Sequence, residues 1–232
     1  MNYLLLLAGG SGSRMKTATC PKQYLLVKEK PIFLYSLETF ENNELISGIV
    51  IVAHEEWHQE IKAWIKSFSI DKFLGFAAAG DSRQGSIYNG LKYLRDFAGQ
   101  DDNVIIHDAA RPLISNELIR NCLLPLDAYD GVMPVLPAKD TFYQSVDGKH
   151  INSLLPRAQL FAGQAPESFK FEKYLSLHEK LSATELDRIT GSTEIALKNN
   201  LNVLMISGEE INFKITTDND IDLFNMYIGE SV

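Results

Sequence analysis

An unbroken apolar run from Tyr3 to Leu7 passes directly into Ala8-Gly9-Gly10-Ser11-Gly12-Ser13-Arg14-Met15, and Pro21-Lys22-Gln23 follows. A short apolar run closed by glycines reads as a buried strand. The loop after it has few side chains to hold a ligand away from the backbone. Successive amides in such a loop form an anion-binding concavity, to which Arg14 and Lys22 add positive charge. The expectation is a cradle for a nucleoside triphosphate, with Ala8, Gly9, Gly10 and Gly12 as nucleotide-binding residues.

The spacing argues against the two commonest glycine loops. A dinucleotide fingerprint needs a third glycine where Met15 stands. A Walker loop ends in Gly-Lys-Ser/Thr, a tripeptide that does not occur in this sequence. An ordinary tight turn would explain the glycines alone but not the cations, which repel one another beside open amides unless an anion lies between them.

The 232 residues suit one α/β domain, and 45% hydrophobic content is ample for its core. A net charge of −8 argues against an extended nucleic-acid surface. Cys20 and Cys122 lack metal-ligand spacing, so neither a zinc site nor a disulfide framework is expected, and Cys20 is read as a bystander to the loop. There is no basic leader and no apolar run near the length of a membrane span, which gives a cytoplasmic protein without membrane contact as the expectation.

Short apolar runs alternate with amphipathic stretches. Strands are expected at Tyr3 to Leu7, Ser47 to Ala53, Phe73 to Ala78, Asn103 to His107, Gly131 to Leu136 and Asn202 to Ile206. Helices are expected at Ile32 to Phe40, Glu56 to Phe68, Ser86 to Phe97, Ser115 to Leu126, Phe171 to Leu181, Gly191 to Asn199 and Ile221 to Ile228. That alternation implies a Rossmann-like, mostly parallel sheet with helices on both faces, whose ligands sit at the carboxyl ends of the strands. Residues 139–160 break the rhythm, and Asp147-Gly148 is a hairpin-turn signal. A protruding β-arm is expected there, packing on a second copy of the chain to form a homodimer.

Three polar clusters end expected strands. Gly80-Asp81-Ser82-Arg83-Gln84-Gly85-Ser86 offers hydroxyl and amide groups at a helix start, suited either to capping or to reading a base. In His107-Asp108-Ala109-Ala110-Arg111-Pro112 an acid leaves a buried strand beside two small residues. Asp108 there can accept a ribose hydroxyl or hold Mg²⁺, whereas His107 reads as a packed structural histidine. Asn212-Phe213-Lys214-Ile215-Thr216-Thr217 has a strand-like alternation with Lys214 opposite the apolar side chains.

In order, Ala-Gly-Gly-x-Gly-x-Arg-Met, Pro-Lys-Gln, Gly-Asp-x-Arg-x-x-Ser, His-Asp-Ala-Ala-Arg-Pro, Lys-Asp-Thr and Asn-x-Lys-Ile-Thr resemble the cytidylyltransferases of the 2-C-methyl-D-erythritol 4-phosphate and ribitol 5-phosphate type. The resemblance runs from Leu4 to Leu223. It implies transfer of CMP from CTP to a polyol phosphate, with Mg²⁺ and release of pyrophosphate. By the same resemblance Arg14, Lys22 and Lys214 are catalytic, Gly80, Asp81 and Ser86 read cytosine, and Asp108 with Ala109 serves the ribose and the metal. Asp140, Thr141 and Arg157 on the arm then receive the polyol phosphate, across a dimer interface.

Both relatives are represented among the details. Pro137-Ala138-Lys139-Asp140-Thr141 looks like the methylerythritol phosphate enzymes, the acceptor favoured by sequence. Gly9-Gly10, Gly163-Gln164 and Ile215-Thr216-Thr217 look more like the ribitol phosphate enzymes. Ala79, Ala165 and Gly191-Ser192-Thr193-Glu194 depart from both. A sugar-1-phosphate nucleotidyltransferase would put a metal-binding acid in place of Lys214, and a non-catalytic nucleotide-binding protein would not need all three cations.

Overall fold

The computed structural model describes residues 1–10 and 20–229. Its strands are β1 (Asn2–Leu7), β2 (Leu26–Val27), β3 (Lys30–Pro31), β4 (Gly48–Ala53), β5 (Phe73–Ala78), β6 (Asn103–Asp108), β7 (Gly131–Pro137), β8 (Tyr143–Gln144), β9 (Ser153–Leu154), β10 (Phe161–Gly163), β11 (Glu167–Lys170) and β12 (Val203–Ser207). The α-helices are α1 (Ile32–Glu41), α2 (His58–Ser67), α3 (Arg83–Leu94), α4 (Asn116–Leu123), α5 (Phe171–Glu179), α6 (Ala183–Arg188), α7 (Ser192–Lys198) and α8 (Asp218–Gly229).

One eight-stranded sheet has the order β10-β7-β11-β6-β1-β4-β5, with β12 also paired to β7. The central pairs β1 with β4, β1 with β6 and β4 with β5 are parallel. Strand side chains alternate between faces, so a strand covered on both sides must be apolar throughout. Leu4, Leu6, Ile49, Ile51 and Ile105 pack on the face covered by α1, α2 and α4, where Phe33, Leu37, Ile61 and Leu118 complete the layer. Tyr3, Leu5, Val50, Val52 and Ile106 face the other way, against Ile87, Leu91, Tyr174 and Leu175 of α3 and α5. Each such leucine or isoleucine contributes about 1.5–3 kcal/mol by burial.

Two parts of the topology depart from the expected alternation. β11 is inserted between β6 and β7 and runs antiparallel to both. Its Glu-Ser-Phe-Lys sequence gives no apolar run to announce a strand, because Ser168 and Glu167 are buried through hydrogen bonding rather than hydrophobicity. The Asn212–Thr217 stretch forms no strand: it is a segment without regular structure between β12 and α8. Its alternation reflects Phe213 and Ile215 packing in one apolar cluster, not pairing in a ladder.

The arm is present. β8 and β9 pair antiparallel, and Asp147 Oδ1 accepts from the amides of Lys149 and His150 at 2.9 and 2.8 Å. Gly148 sits at φ +69°, the left-handed conformation its lack of a Cβ permits. No helix among the described residues is long and apolar enough to cross a membrane.

Candidate active site

A cleft of about 540 Å³ opens at the carboxyl ends of β1, β4, β5 and β6. Gly9, Gly10, Lys22 and Gln23 form one wall, and Gly80, Asp81, Ser82, Arg83 and Ser86 another, with Asp108, Ala110 and Lys214 at the base. Four distant parts of the chain thus meet where a parallel sheet exposes its strand ends. Gly12 and Arg14 lie outside the described residues.

The glycine wall is held from beneath. Gln23 Nε2 donates to the carbonyls of Ala8 and Gly10, at 2.5 and 2.8 Å, and the Tyr24 hydroxyl donates to Ala8 at 2.9 Å. Ala8 is therefore buried support, and Gly9 and Gly10 face the cleft. A Cβ on Gly9 would lie 2.5 Å from that of Ala79, so alanine at 79 is compatible only with glycine at 9.

The opposite wall begins with an ordinary cap. Ser82 Oγ accepts from the Gly85 amide at 3.1 Å and starts α3 at Arg83, ahead of the Ser86 expected from sequence. Such a cap stabilises a helix by about 1 kcal/mol. The Gly80 amide donates to Ser86 Oγ at 3.0 Å. A Cβ on Gly80 would come within 2.6 Å of the Gly85 carbonyl carbon, which leaves no room for a side chain. Ser86 keeps its own O–H available as a donor into the cleft.

Asp108 is the electrostatic centre. Its Oδ2 lies 2.9 Å from Lys214 Nζ and 3.5 Å from Arg111 Nε. Its Oδ1 lies 3.4 Å from Arg83, whose guanidinium also pairs with Glu167 at 3.2 Å and donates to Ser192 Oγ. Burial alone would raise the Asp108 pKa, but Arg83, Lys214 and Arg111 together hold it far below the usual carboxylate range. Burial pushes Glu167 up, with Arg83 offsetting only part of the shift. Of the two small residues after Asp108, Ala109 is buried with its amide on Leu7 O at 3.0 Å, and Ala110 lines the cleft.

His107 is fully buried, with Nε2 2.9 Å from the Arg111 carbonyl and its ring against Phe40. Burial lowers its pKa to about 4, leaving a neutral imidazole that holds the loop carrying Arg111. Cys20 and Cys122 are unpaired thiols.

Asp140, Thr141 and Arg157 are exposed on the arm and do not line the cleft. Arg157 donates to the Lys139 carbonyl at 3.2 Å. Sequence reasoning passed over Arg83, Arg111 and Glu167 as site residues. The first two were visible as arginines inside the quoted motifs, whereas Glu167 gave no signal because its strand was not recognisable.

The model of the family 2-C-methyl-D-erythritol 4-phosphate cytidylyltransferase (IspD) matches residues 3–230. The chain is 32% identical to the ribitol-5-phosphate cytidylyltransferase of Streptococcus agalactiae serotype Ia over 225 residues, 97% of this chain and 94% of that protein. It is 30% identical to the enzyme of the same name from Lactiplantibacillus plantarum, over 95% of each chain. Among solved structures, the 4-diphosphocytidyl-2C-methyl-D-erythritol synthase of Anaerococcus prevotii superposes with a TM-score of 0.84 at 24% identity, covering 99% of this chain and 96% of that one. The Francisella tularensis 2-C-methyl-D-erythritol 4-phosphate cytidylyltransferase gives 0.81 at 24%, covering 97% and 98%. At that identity the structural likeness speaks to the fold.

Proposed function

Because the chain belongs to the 2-C-methyl-D-erythritol 4-phosphate cytidylyltransferase (IspD) family and is a CTP-dependent cytidylyltransferase, we propose that its cleft carries out CMP transfer to a polyol phosphate with Lys22, Lys214 and Arg14 as the catalytic cations. The observation that carries this reading is the convergence of Lys22, Lys214 and Asp108 with the Gly80–Ser86 wall on one cleft. An oxygen of the acceptor phosphate attacks the α-phosphorus of CTP, a new P–O bond forms, and the bond to the β-phosphate breaks to release pyrophosphate. The nucleophile is already an anion, so no general base is needed. Catalysis reduces to holding two anions in line and stabilising the charge gathering at phosphorus. Fixed cations supply that stabilisation without reorganising during the reaction.

In this reading Arg14 and Lys22 hold the triphosphate, and Lys214 reaches the α-phosphate from the opposite side. Lys214 Nζ donates to Asp108 Oδ2 at 2.9 Å, so the substrate phosphates and a carboxylate share the same amine. Gly80, Asp81 and Ser86 read the cytosine, and Asp108 serves the ribose. Mg²⁺ fits this donor set, since a cation bound mainly through substrate phosphates needs from the protein only a carboxylate such as Asp108. When bound, Mg²⁺ neutralises phosphate charge. CTP is a cytoplasmic metabolite, which supports a cytoplasmic site of action.

The position of Asp140, Thr141 and Arg157 on an exposed arm supports an acceptor site completed by a second copy of the chain. The arm exposes Val146, Ile151 and Leu154 at 85%, 68% and 62%, a surface suited to burial in a homodimer. The family model supports 2-C-methyl-D-erythritol 4-phosphate as the acceptor. The curated relatives support D-ribitol 5-phosphate, and we favour it because those enzymes are 30–32% identical to this chain, against 24% for the methylerythritol enzymes of known structure. Pyrophosphate release assayed with the four nucleoside triphosphates against both polyol phosphates and glucose 1-phosphate tests the reading. Turnover confined to CTP with a polyol phosphate is expected, and turnover only with glucose 1-phosphate would overturn it.

A further inference from the structure

Lys214 projects from a segment without regular structure, so the place of its amine depends on what fixes that segment. Upstream, Gln164 grips both backbone groups of Glu209, at 2.9 and 3.0 Å. Asn212 Nδ2 donates to the Ala165 carbonyl at 2.7 Å, and Arg111 donates to the Asn212 carbonyl at 2.8 Å. At the centre the Ile215 amide donates to Ala110 O at 2.8 Å, and the Ile215 side chain is buried with Val27, Ile32 and Phe224.

Downstream everything converges on one atom. Oδ2 of Asp220, in the first turn of α8, accepts from the amides of Thr216 and Thr217 at 2.8 Å each. It also accepts from their hydroxyls at 2.7 and 3.0 Å. Capping a helix uses one or two of its orphan amides. Gathering two hydroxyls as well fixes the side chains and backbone of the two threonines that begin two residues after the amine-bearing Lys214. Burial opposes ionisation of Asp220, yet the bonds from Thr216 and Thr217 keep it below the usual carboxylate range.

We propose that Asp220 is a positioning residue for Lys214, closing the downstream end of the segment so that the amine is delivered to the cleft. The inference rests on the reading that Lys214 acts at the α-phosphate. A lysine stem has four rotatable carbons and little inherent direction, so its reach is set by where the backbone starts it. Displacement of a reacting group by about 1 Å can cost up to a hundredfold in rate.

The test is a double-mutant cycle on kcat in the pyrophosphate-release assay, with thermal midpoints measured alongside. Asp220→Ala is expected to lower kcat about tenfold or more. Asp220→Asn should recover most of it, since its carbonyl oxygen can still accept from both amides. In a Lys214→Ala background, adding Asp220→Ala should change kcat by less than about twofold, the mark of two residues acting as one unit. An equal loss in both backgrounds, or full turnover in folded Asp220→Ala, would overturn the proposal. If Asp220→Ala does not fold, Thr216→Val, which removes one of the donors, takes its place in the cycle: a loss confined to the Lys214 background supports the proposal, and an equal loss in both overturns it. Wild-type turnover in Lys214→Ala alone would fault the assignment of Lys214, and this inference with it, and is recognised in that single variant.

Discussion

At the cleft, Asp108 is 8% exposed and pairs with Arg83, Arg111 and Lys214, which come from three separate parts of the chain. On the arm, every residue from Asp140 to Leu154 is exposed, and the hydrogen bonds of residues 142–155 run to near neighbours in sequence. The cleft therefore inherits its geometry from the core strands beneath it, and its charges are fixed by mutual pairing. The arm has no such foundation, and its Asp140, Thr141 and Arg157 do not line the cleft. Substitutions in the first region should damage folding and chemistry together, whereas those in the second should separate them.

The largest effect is expected at Asp108. Asp108→Ala leaves three partly buried cations without their shared counter-charge, and breaking a buried pair in this way costs about 3–5 kcal/mol. Urea titration of the variant against the parent protein reads this directly, and an unchanged midpoint would mean the cluster contributes nothing to stability.

Acid should act on the same region. His107 and His178 are both buried with pKa values lowered to about 4, against about 6.5 in an unfolded chain. Between those values the unfolded state binds the extra proton, so stability is complete above about pH 6.5 and falls as the pH drops toward 4. Each histidine contributes a loss of roughly 3 kcal/mol over that window. Denaturation followed across this range should show the slope, and His107→Phe should flatten part of it.

Next come the cations. Lys22→Ala and Lys214→Ala are each expected to lose about a hundredfold or more in turnover, the scale of removing one preorganised charge donor. Near wild-type kcat in either would remove it from the mechanism.

On the arm the consequences are smaller and of a different kind. Arg157→Ala should raise KM for the polyol phosphate about tenfold, the worth of one charge-assisted hydrogen bond, with KM for CTP unchanged. An equal rise for CTP would erase the distinction between the regions. Val146→Glu with Ile151→Glu should change monomer stability by less than about 0.5 kcal/mol while shifting a dimer toward monomer in sedimentation. If the mass is already monomeric in the parent protein, the arm has no partner copy to meet.

Legibility in the sequence followed how the residues are stabilised. The apolar runs that became β1, β4 and β6 were recognisable because burial on both faces of a parallel sheet leaves a continuous hydrophobic signature, and β5 and β7 kept enough of an apolar run to be found beside them. Gly9, Gly10, Lys22, Gly80, Asp81, Ser86, Asp108 and Lys214 were found from strand-end clusters and ordered motifs, and all of them line the cleft. β11 and the segment bearing Lys214 were misread because hydrogen bonds to distant partners fix them, and such bonds leave no periodicity. The charges of Arg83, Arg111 and Glu167 were in plain view, but their grouping around Asp108 was not.

The chain's own order of residues thus determined a layered α/β fold and the placing of Gly9 and Gly10 at a strand end beside the cleft, since both follow from local pattern and the chemistry of neighbouring residues. Tertiary structure alone decided that Asp108 holds three cations, that Glu167 sits on a reversed strand beside them, and that Asp220 anchors the segment carrying Lys214. Those relations join residues as far as 106 positions apart, and electrostatic pairing and hydrogen bonding act through space without regard to separation along the chain.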